Sequence, residues 1–322
     1  MIIRQIILLI MRSSILVGGQ AVINGVMMRV PGAYGTAVRD SEGNIQFDRH
    51  DFQSILDKKP ALKKPIIRGM IGLFESLTIG YSTLQWSAQI VEPDTPPENT
   101  GKLADILLTL LSIGLVIGLF FAAPMGLTSW LFDKDKDALF FNLISGLFRV
   151  TFFIIYLILI SLMKDVKRLF QYHGAEHKTV YNFESGKELK IEIAQTFSTL
   201  HPRCGTSFMF IIMIVAILSF SVLDSFILLW VEKLNVWMRL LIHLPFIPVV
   251  AGLGYEVLKA TAKHRHNFLF LALSKPGLWL QNITTRQPSN DQVEVAMEAL
   301  KSAFGEKIHH YSGKSYVAEA IG

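Results

Sequence analysis

The chain has 322 residues, 51% of them hydrophobic and 18% charged, with a mean hydropathy of +0.40 and a net charge of +5. Two soluble domains of about 150 residues each would not need so apolar a composition. The apolar residues are also concentrated, because no charged side chain lies between Asp105 and Asp133, a gap of 27 residues. At about 1.5 Å per residue this gap makes roughly 40 Å of helix, enough to cross a bilayer with tilt, so a soluble protein is excluded. A single cysteine, Cys204, excludes an intramolecular disulfide framework and leaves a thiol or a metal ligand as its special roles.

In chain order, residues 1–10 place Arg4 before a short apolar run. That run is shorter than a secretory signal needs and no small-x-small cleavage site follows, so the segment is expected to have no structural role. Between Val17 and Phe47, β-forming residues are punctuated by Gly18, Gly19, Gly25, Gly32 and Gly35. The runs Thr36 to Arg39 and Ile45 to Phe47 flank Ser41-Glu42-Gly43-Asn44, which predicts a hairpin. After Pro65, apolar residues at Ile67, Met70, Ile71, Phe74, Leu77 and Tyr81 follow the helical period. They predict an amphipathic helix lying on the membrane or on the domain. It should end near Val91, where Glu92, Pro93, Asp94, Pro96 and Pro97 make a linker.

Four segments predict membrane spans: 104–132, 138–163 with only Arg149 charged, 208–231 with only Asp224 charged, and 236–258. The last has a charge-free centre of 16 residues between Arg239 and Glu256 and contains Pro245 and Pro248, so it calls for snorkelling flanks or a broken helix. With four spans, 26 of the 31 lysines and arginines fall on one side, which the positive-inside rule makes the cytoplasm, with both termini there. The expected fold is therefore a mainly α polytopic protein of the bacterial cytoplasmic membrane, with a small β-containing N-terminal cytosolic portion. Its expected divisions are 1–64, the helix and linker 65–102, a membrane hairpin 103–163, a cytosolic-face segment 164–207, a second hairpin 208–258 and a C-terminal cytosolic segment 259–322. The lipid bilayer is the first partner implied. No nucleic acid is expected, because no binding module and no basic run longer than Lys63-Lys64 occurs.

The chemistry-bearing residues follow the second span. Leu169, His173, Glu176, His177 and Val180 share one helical face, and His173-Gly174-Ala175-Glu176-His177 reads H-x-x-E-H. Two imidazoles one turn apart can grip one metal ion while the carboxylate beside them serves as general base. His201-Pro202-Arg203-Cys204 adds an H-x-x-C pair before the third span, in the nitrogen and sulfur chemistry that zinc prefers. If spans two and three form a hairpin, His173, His177, His201 and Cys204 converge at one membrane face. Four ligands would make a closed structural site, whereas three would leave a position open for catalysis. Arg149 and Asp224, each inside a span where an isolated charge costs about 2.5–3.5 kcal/mol, are expected to form a structural ion pair. His243 is expected to be a hydrogen-bonded helix residue.

The stretches 18–29 (GGQAVINGVMMR), 172–178 (YHGAEHK), 201–207 (HPRCGTS) and 276–285 (PGLWLQNITT) together resemble an uncharacterised family of bacterial multi-pass membrane proteins described as metal-dependent enzymes. The resemblance runs from Val17 to about Leu300. It implies a membrane location and a metal-linked activity, and it places a glutamate where this chain has Asn24. A carboxylate there as ligand or proton carrier would put this chain's activity in question, whereas in a glycine-rich turn an amide can replace it. Two functions are expected from all of this. One is a metal-dependent hydrolase, with zinc, acting on a membrane-associated substrate with Glu176 as base. The other is a membrane scaffold or assembly factor that binds a cytosolic protein partner and uses the metal structurally.

Overall fold

The protein is described from a computed structural model over residues 14–15, 17–93, 102–132, 137–263 and 268–318. The expectation for residues 1–10 and part of that for the linker lie outside the described residues. Two short strands, β1 (Ser14–Ile15) and β6 (Val317–Ala318), pair in parallel. Between them in sequence comes an antiparallel meander of β2 (Gly18–Val22), β3 (Gly25–Val30), β4 (Ala33–Arg39) and β5 (Ile45–Asp51), in the order β2-β3-β4-β5. The hairpin expected around Ser41 to Asn44 joins β4 to β5. There the Asp40 carboxylate accepts from the backbone N–H groups of Glu42 and Asn44, and Gly43 takes φ +91°. Asn24 occupies the β2–β3 turn at φ 51°, a left-handed position that asparagine tolerates better than glutamate.

Strand alternation gives the sheet two apolar faces. Val26, Met28 and Val30 point into one core with Tyr172, Ala175, Val293, Ala296 and Leu300. Met27, between Val26 and Met28, points the other way into a cluster with Val22, Val38 and Ile79. The first face is covered by α6 (Lys164–Glu184) and α11 (Asn290–Phe304), numbered by their order in the chain. A Cβ on Gly35 would lie 2.6 Å from the Ala303 nitrogen, so glycine is what allows α11 to sit directly on β4. The sequence reading had no element for α11. Its start carries a capping box, with the Ser289 side chain bonded to the Gln292 N–H and the Gln292 side chain to the Ser289 N–H.

The second face is covered by α2 (Ile67–Val91), which follows the short helix α1 (Ile55–Lys58). Its fully buried residues are Gly69, Glu75, Thr83 and Ser87 together with the apolar Ile79, which packs with Val22, Met27 and Val38. Gln20 of β2 donates to the Gly80 carbonyl and to Thr83 Oγ1, and the Ile23 N–H donates to Ser87 Oγ. The expected amphipathic helix is thus present with nearly the expected ends. Ile79, Trp86 and Ile90 pack toward the sheet, while Phe74, Leu77 and Tyr81 face away from the domain, exposed at 65%, 64% and 65%.

Four helical segments are long and apolar enough to cross a membrane: Ile106–Leu131, Ala138–Ser161, Gly205–Ile227 and Val236–Thr261. The first contains α3 (Lys102–Ile117), a π-helical turn (Gly118–Ala122) and α4 (Ala123–Leu131). The others belong to α5 (Ala138–Ser161), α8 (Gly205–Ile227) and α9 (Val236–Lys263), the last running through Pro245 and Pro248. Between α8 and its predecessor α6 lies the single-turn α7 (Ile191–Gln195). After α9, α10 (Phe268–Thr284) packs on α5 and α8, where Leu280 is buried with Phe153 and Leu157. A final turn, α12 (Ile308–Tyr311), precedes β6.

The expected Arg149–Asp224 pair is corrected by the structure. Pro124 has no N–H to give the Phe120 carbonyl one turn before it, and Arg149 Nε donates to that carbonyl at 2.8 Å while its guanidinium lies over the Phe121 ring. Asp224 instead pairs with Arg239 and receives hydrogen bonds from His243 Nε2 at 2.8 Å and Asn142 Nδ2 at 2.7 Å. Arg239 stands in the first turn of α9, fully buried beneath the Phe141 ring, so it crosses to α8 rather than snorkelling outward. His243 is hydrogen-bonded as expected and stacks on Phe220. Removing Asp224 or Arg239 alone, as Asp224→Leu or Arg239→Leu, should cost about 3–5 kcal/mol, with the double variant much milder than the sum. Thermal unfolding in detergent measures this cycle. Arg149→Leu combined with Asp224→Leu should be additive, and strong coupling between those two would contradict the assignment.

Candidate metal centre

Helix α6 continues from α5 after a break at Met163, whose ψ of 137° ends the α-helical run. It leaves the apolar spans as a polar helix that is nonetheless buried. Glu176, His177, Lys178, Thr179, Asn182 and Glu184 are all buried, so their polar atoms need partners inside the protein. The segment after α6 supplies many of them as backbone carbonyls. Lys178 Nζ donates to the carbonyls of Gln195 and Phe197, Tyr181 OH to Leu200 and Asn182 Nδ2 to Glu188. Glu184 pairs with Arg203. These bonds fold residues 188–204 back along α6 and bring Cys204, the residue preceding α8, against His173.

His173 and His177 are both held through Nδ1. His173 Nδ1–H donates to the Thr284 carbonyl at 2.9 Å, and His177 Nδ1–H to the Thr199 carbonyl. With Nδ1 as the donor, each ring presents Nε2 as a lone pair, the state a metal ligand needs. The Cys204 thiol donates to His173 Nε2 at 3.1 Å. One donor atom from each of His173, His177 and Cys204 lies within 4.8 Å of the other two. Glu176 joins them, with Oε2 3.4 Å from His177 Nε2. A carboxylate and an imidazole lone pair at that separation repel unless a proton or a cation stands between them. Burial pushes the Glu176 carboxyl above its ordinary range, opposed by the nearby Arg203 and by the hydrogen bond it accepts from the Gly19 N–H.

His201 lies beside this trio rather than within it. Its ring stands 5.4 Å from that of His177 and 4.5 Å from that of Tyr181, centroid to centroid, and its Nδ1 accepts from the Arg203 N–H. Its backbone is fixed from α10, since the N–H donates to Gln281 Oε1 at 2.7 Å and the carbonyl accepts from Gln281 Nε2 at 2.9 Å. Of the expected ligands the structure therefore gathers His173, His177 and Cys204 with Glu176, and sets His201 next to them. Arg149 and Asp224 belong to the membrane spans. Asn24 sits at the hairpin tip five residues from Gly19, roughly 17 Å along an extended strand, and so serves the turn rather than the site.

Several contributors escaped sequence reasoning. Gly19 reaches Glu176 because it has no side chain, and a Cβ there would run into the Met27 carbonyl and lie 3.2 Å from Glu176 Cγ. Gln281, Thr284 and the Thr199 carbonyl orient the two histidine segments. Gly19, Gln281 and Thr284 all lie within the stretches that carried the family resemblance, which was the available signal.

Residues 64–306 match a family model described as "Protein of unknown function (DUF1385)". The chain belongs to this family. It is also 33% identical over 303 residues to the "Uncharacterized protein YqhQ" of Bacillus subtilis (strain 168), across 88% of this chain and 90% of that protein. No solved structure matches the chain. Membership in an uncharacterised bacterial family agrees with the resemblance, and neither description names an activity. The matched span includes α6, Cys204 and α10, so both histidine-orienting segments lie inside the family region.

Lys178 is expected to hold the Cys204 segment in place. Lys178→Met leaves the carbonyls of Gln195 and Phe197 without their donor, at about 1–3 kcal/mol for a buried unsatisfied group. The Cys204 thiol, buried in the native fold, should then react with maleimide several-fold faster. An unchanged labelling rate would show that Lys178 does not anchor this segment.

Proposed function

We propose that the chain is a metal-dependent hydrolase of the bacterial cytoplasmic membrane, holding one divalent ion, zinc by its donor set, through His173, His177 and Cys204. The observation that carries this reading is the fixed pair of Nδ1–H donors, which leaves two imidazole lone pairs and a thiol facing one another beside a buried carboxylate. Ligand atoms around tetrahedral zinc stand roughly 3.5 Å apart; His173 Nε2 and Cys204 Sγ are 3.1 Å apart and all three donor atoms lie within 4.8 Å, a spread that one ion can draw together. When bound, the ion supplies Lewis acidity toward a carbonyl or phosphoryl oxygen.

The protein groups do the rest. Glu176 accepts the proton of the attacking water at Oε2 and returns it to the leaving group, a task favoured by a carboxyl that burial holds above its ordinary range. The Gly19 N–H holds this carboxylate in place, and Arg203 adds positive charge nearby. The site lies just past the ends of α5 and α8, so a membrane-associated substrate reaches it from the bilayer surface. The lysine and arginine asymmetry supports a cytoplasmic position for this face and for both termini. Cysteine labelling should then report residues 135 and 235 outside and Lys187 inside, and a cytoplasmic result at residue 135 would overturn the orientation.

The burial of Cys204, Glu176 and His177 favours a second reading, a scaffold or assembly factor in which a closed metal site staples α6 to the start of α8 and a cytosolic protein binds the domain. The test separates the two. In the hydrolase, Glu176→Gln keeps metal and fold but abolishes complementation of a deletion strain, because the amide cannot take a proton. His173→Ala and Cys204→Ser lose the metal, while His201→Ala retains it. Full complementation by Glu176→Gln at normal metal content would reject the catalytic role and leave the structural one.

A further inference from the structure

Helix α2 has a second apolar face besides the one it packs on the sheet. The side against β2–β5 mixes Glu75, Thr83 and Ser87 with the apolar Ile79, Trp86 and Ile90, and the opposite side carries Met70, Phe74, Leu77, Tyr81 and Leu84. At 100° per residue these five fall within one stripe, and no charge interrupts it. The one charge between Arg68 and Glu92 is Glu75, which is turned inward, where it accepts from Ser54 Oγ and the Ile55 N–H. In water the outer stripe would leave Phe74, Leu77, Tyr81 and Leu84 exposed together, against the direction of the hydrophobic effect. The outer face is therefore built for an apolar medium.

Two observations say which medium. First, α2 packs directly against a membrane span. A Cβ on Gly69 would lie 2.7 Å from Tyr255 Cβ and one on Gly252 would lie 2.6 Å from the Ile66 carbonyl, so α2 and α9 meet backbone to backbone at glycines, as helices in lipid do. Arg68 and Glu256 close the same junction with an ion pair. Second, the chain entering α2 carries Lys58, Lys59, Lys63 and Lys64, all exposed, of which Lys63 bonds to Asp57. A basic cluster at one end of an apolar stripe matches the headgroup and acyl zones of an anionic leaflet, which attracts nearby lysines.

We infer that α1 and α2 form a lipid-docking element, with Phe74, Leu77 and Tyr81 seated among the acyl chains of the leaflet and the four lysines on anionic headgroups. Through Gln20 and Ile23 of β2, the same helix fixes the strand that carries Gly19, so docking sets the sheet at a defined height on the bilayer.

The test uses the full-length protein reconstituted in liposomes, with p-benzoylphenylalanine introduced in place of Phe74, Leu77 or Tyr81. Phe47, exposed on the edge strand β5, serves as the water-side control. Photolysis should give lipid adducts by mass spectrometry at all three α2 positions and none at Phe47. In phosphatidylglycerol-containing vesicles, the combined Lys58→Gln, Lys59→Gln, Lys63→Gln and Lys64→Gln changes should lower the adduct yield several-fold. In pure phosphatidylcholine they should leave it unchanged. Adducts to a second copy of the chain would overturn the inference by making this face a dimer interface. Equal yields at Phe47 and Phe74, or no adducts at α2, would overturn it as well.

Discussion

The structure depends on burying a polar helix. Helix α6 enters the domain with a lysine, two histidines, two glutamates and an asparagine on or near its packed faces, and leaving any one of them without a partner would cost about 1–3 kcal/mol. Backbone carbonyls answer most of this demand, and each carbonyl fixes a point of the following chain. Gln195, Phe197, Thr199 and Leu200 are held in sequence by Lys178, His177 and Tyr181. The path of that segment, and with it the position of Cys204 beside His173, is a consequence of satisfying α6.

The same logic appears inside the membrane spans. Pro124 frees the Phe120 carbonyl, and Arg149 supplies the missing donor. Asp224 gathers Arg239, His243 and Asn142 from α9 and α5 near the ends of the spans remote from Cys204. The bundle is thus tied at one end by a buried charge cluster and at the other by the histidine and cysteine segment, with α10 clamping the latter through Gln281. The sheet, held between α2 on one face and α6 with α11 on the other, adds Gly19 to the site from a part of the chain more than 150 residues upstream of Glu176.

Much of this was legible in the amino-acid sequence, and the reasons differ by element. The spans show because long charge-free runs have few alternatives, and the β4–β5 hairpin shows because Gly43 and Asp40 carry its turn. The H-x-x-E-H and H-x-x-C spacings singled out the residues that meet, since one helical turn and one capping turn are local geometry. What stayed hidden was tertiary choice. Asp224 had two arginines within reach, and the proline that claims Arg149 acts through a backbone carbonyl that leaves no mark in the side-chain pattern. His201 and Cys204 looked equivalent until Gln281, 80 residues away, turned the His201 backbone. The periodicity of α2 identified an apolar face correctly but could not say that the sheet would take the other side, with Ile79, Trp86 and Ile90. Helix α11 was overlooked although Ser289 and Gln292 spell its cap.

The central claim is that His173, His177 and Cys204 form one metal site whose geometry is set by the Thr284 and Thr199 carbonyls. Zinc-edge X-ray absorption on the purified, zinc-loaded protein tests it most directly. The account predicts one sulfur at about 2.3 Å with the remaining nitrogen or oxygen ligands at about 2.0–2.1 Å, and the loss of the sulfur shell in Cys204→Ser. A spectrum without sulfur, or one that Cys204→Ser leaves unchanged, would contradict it.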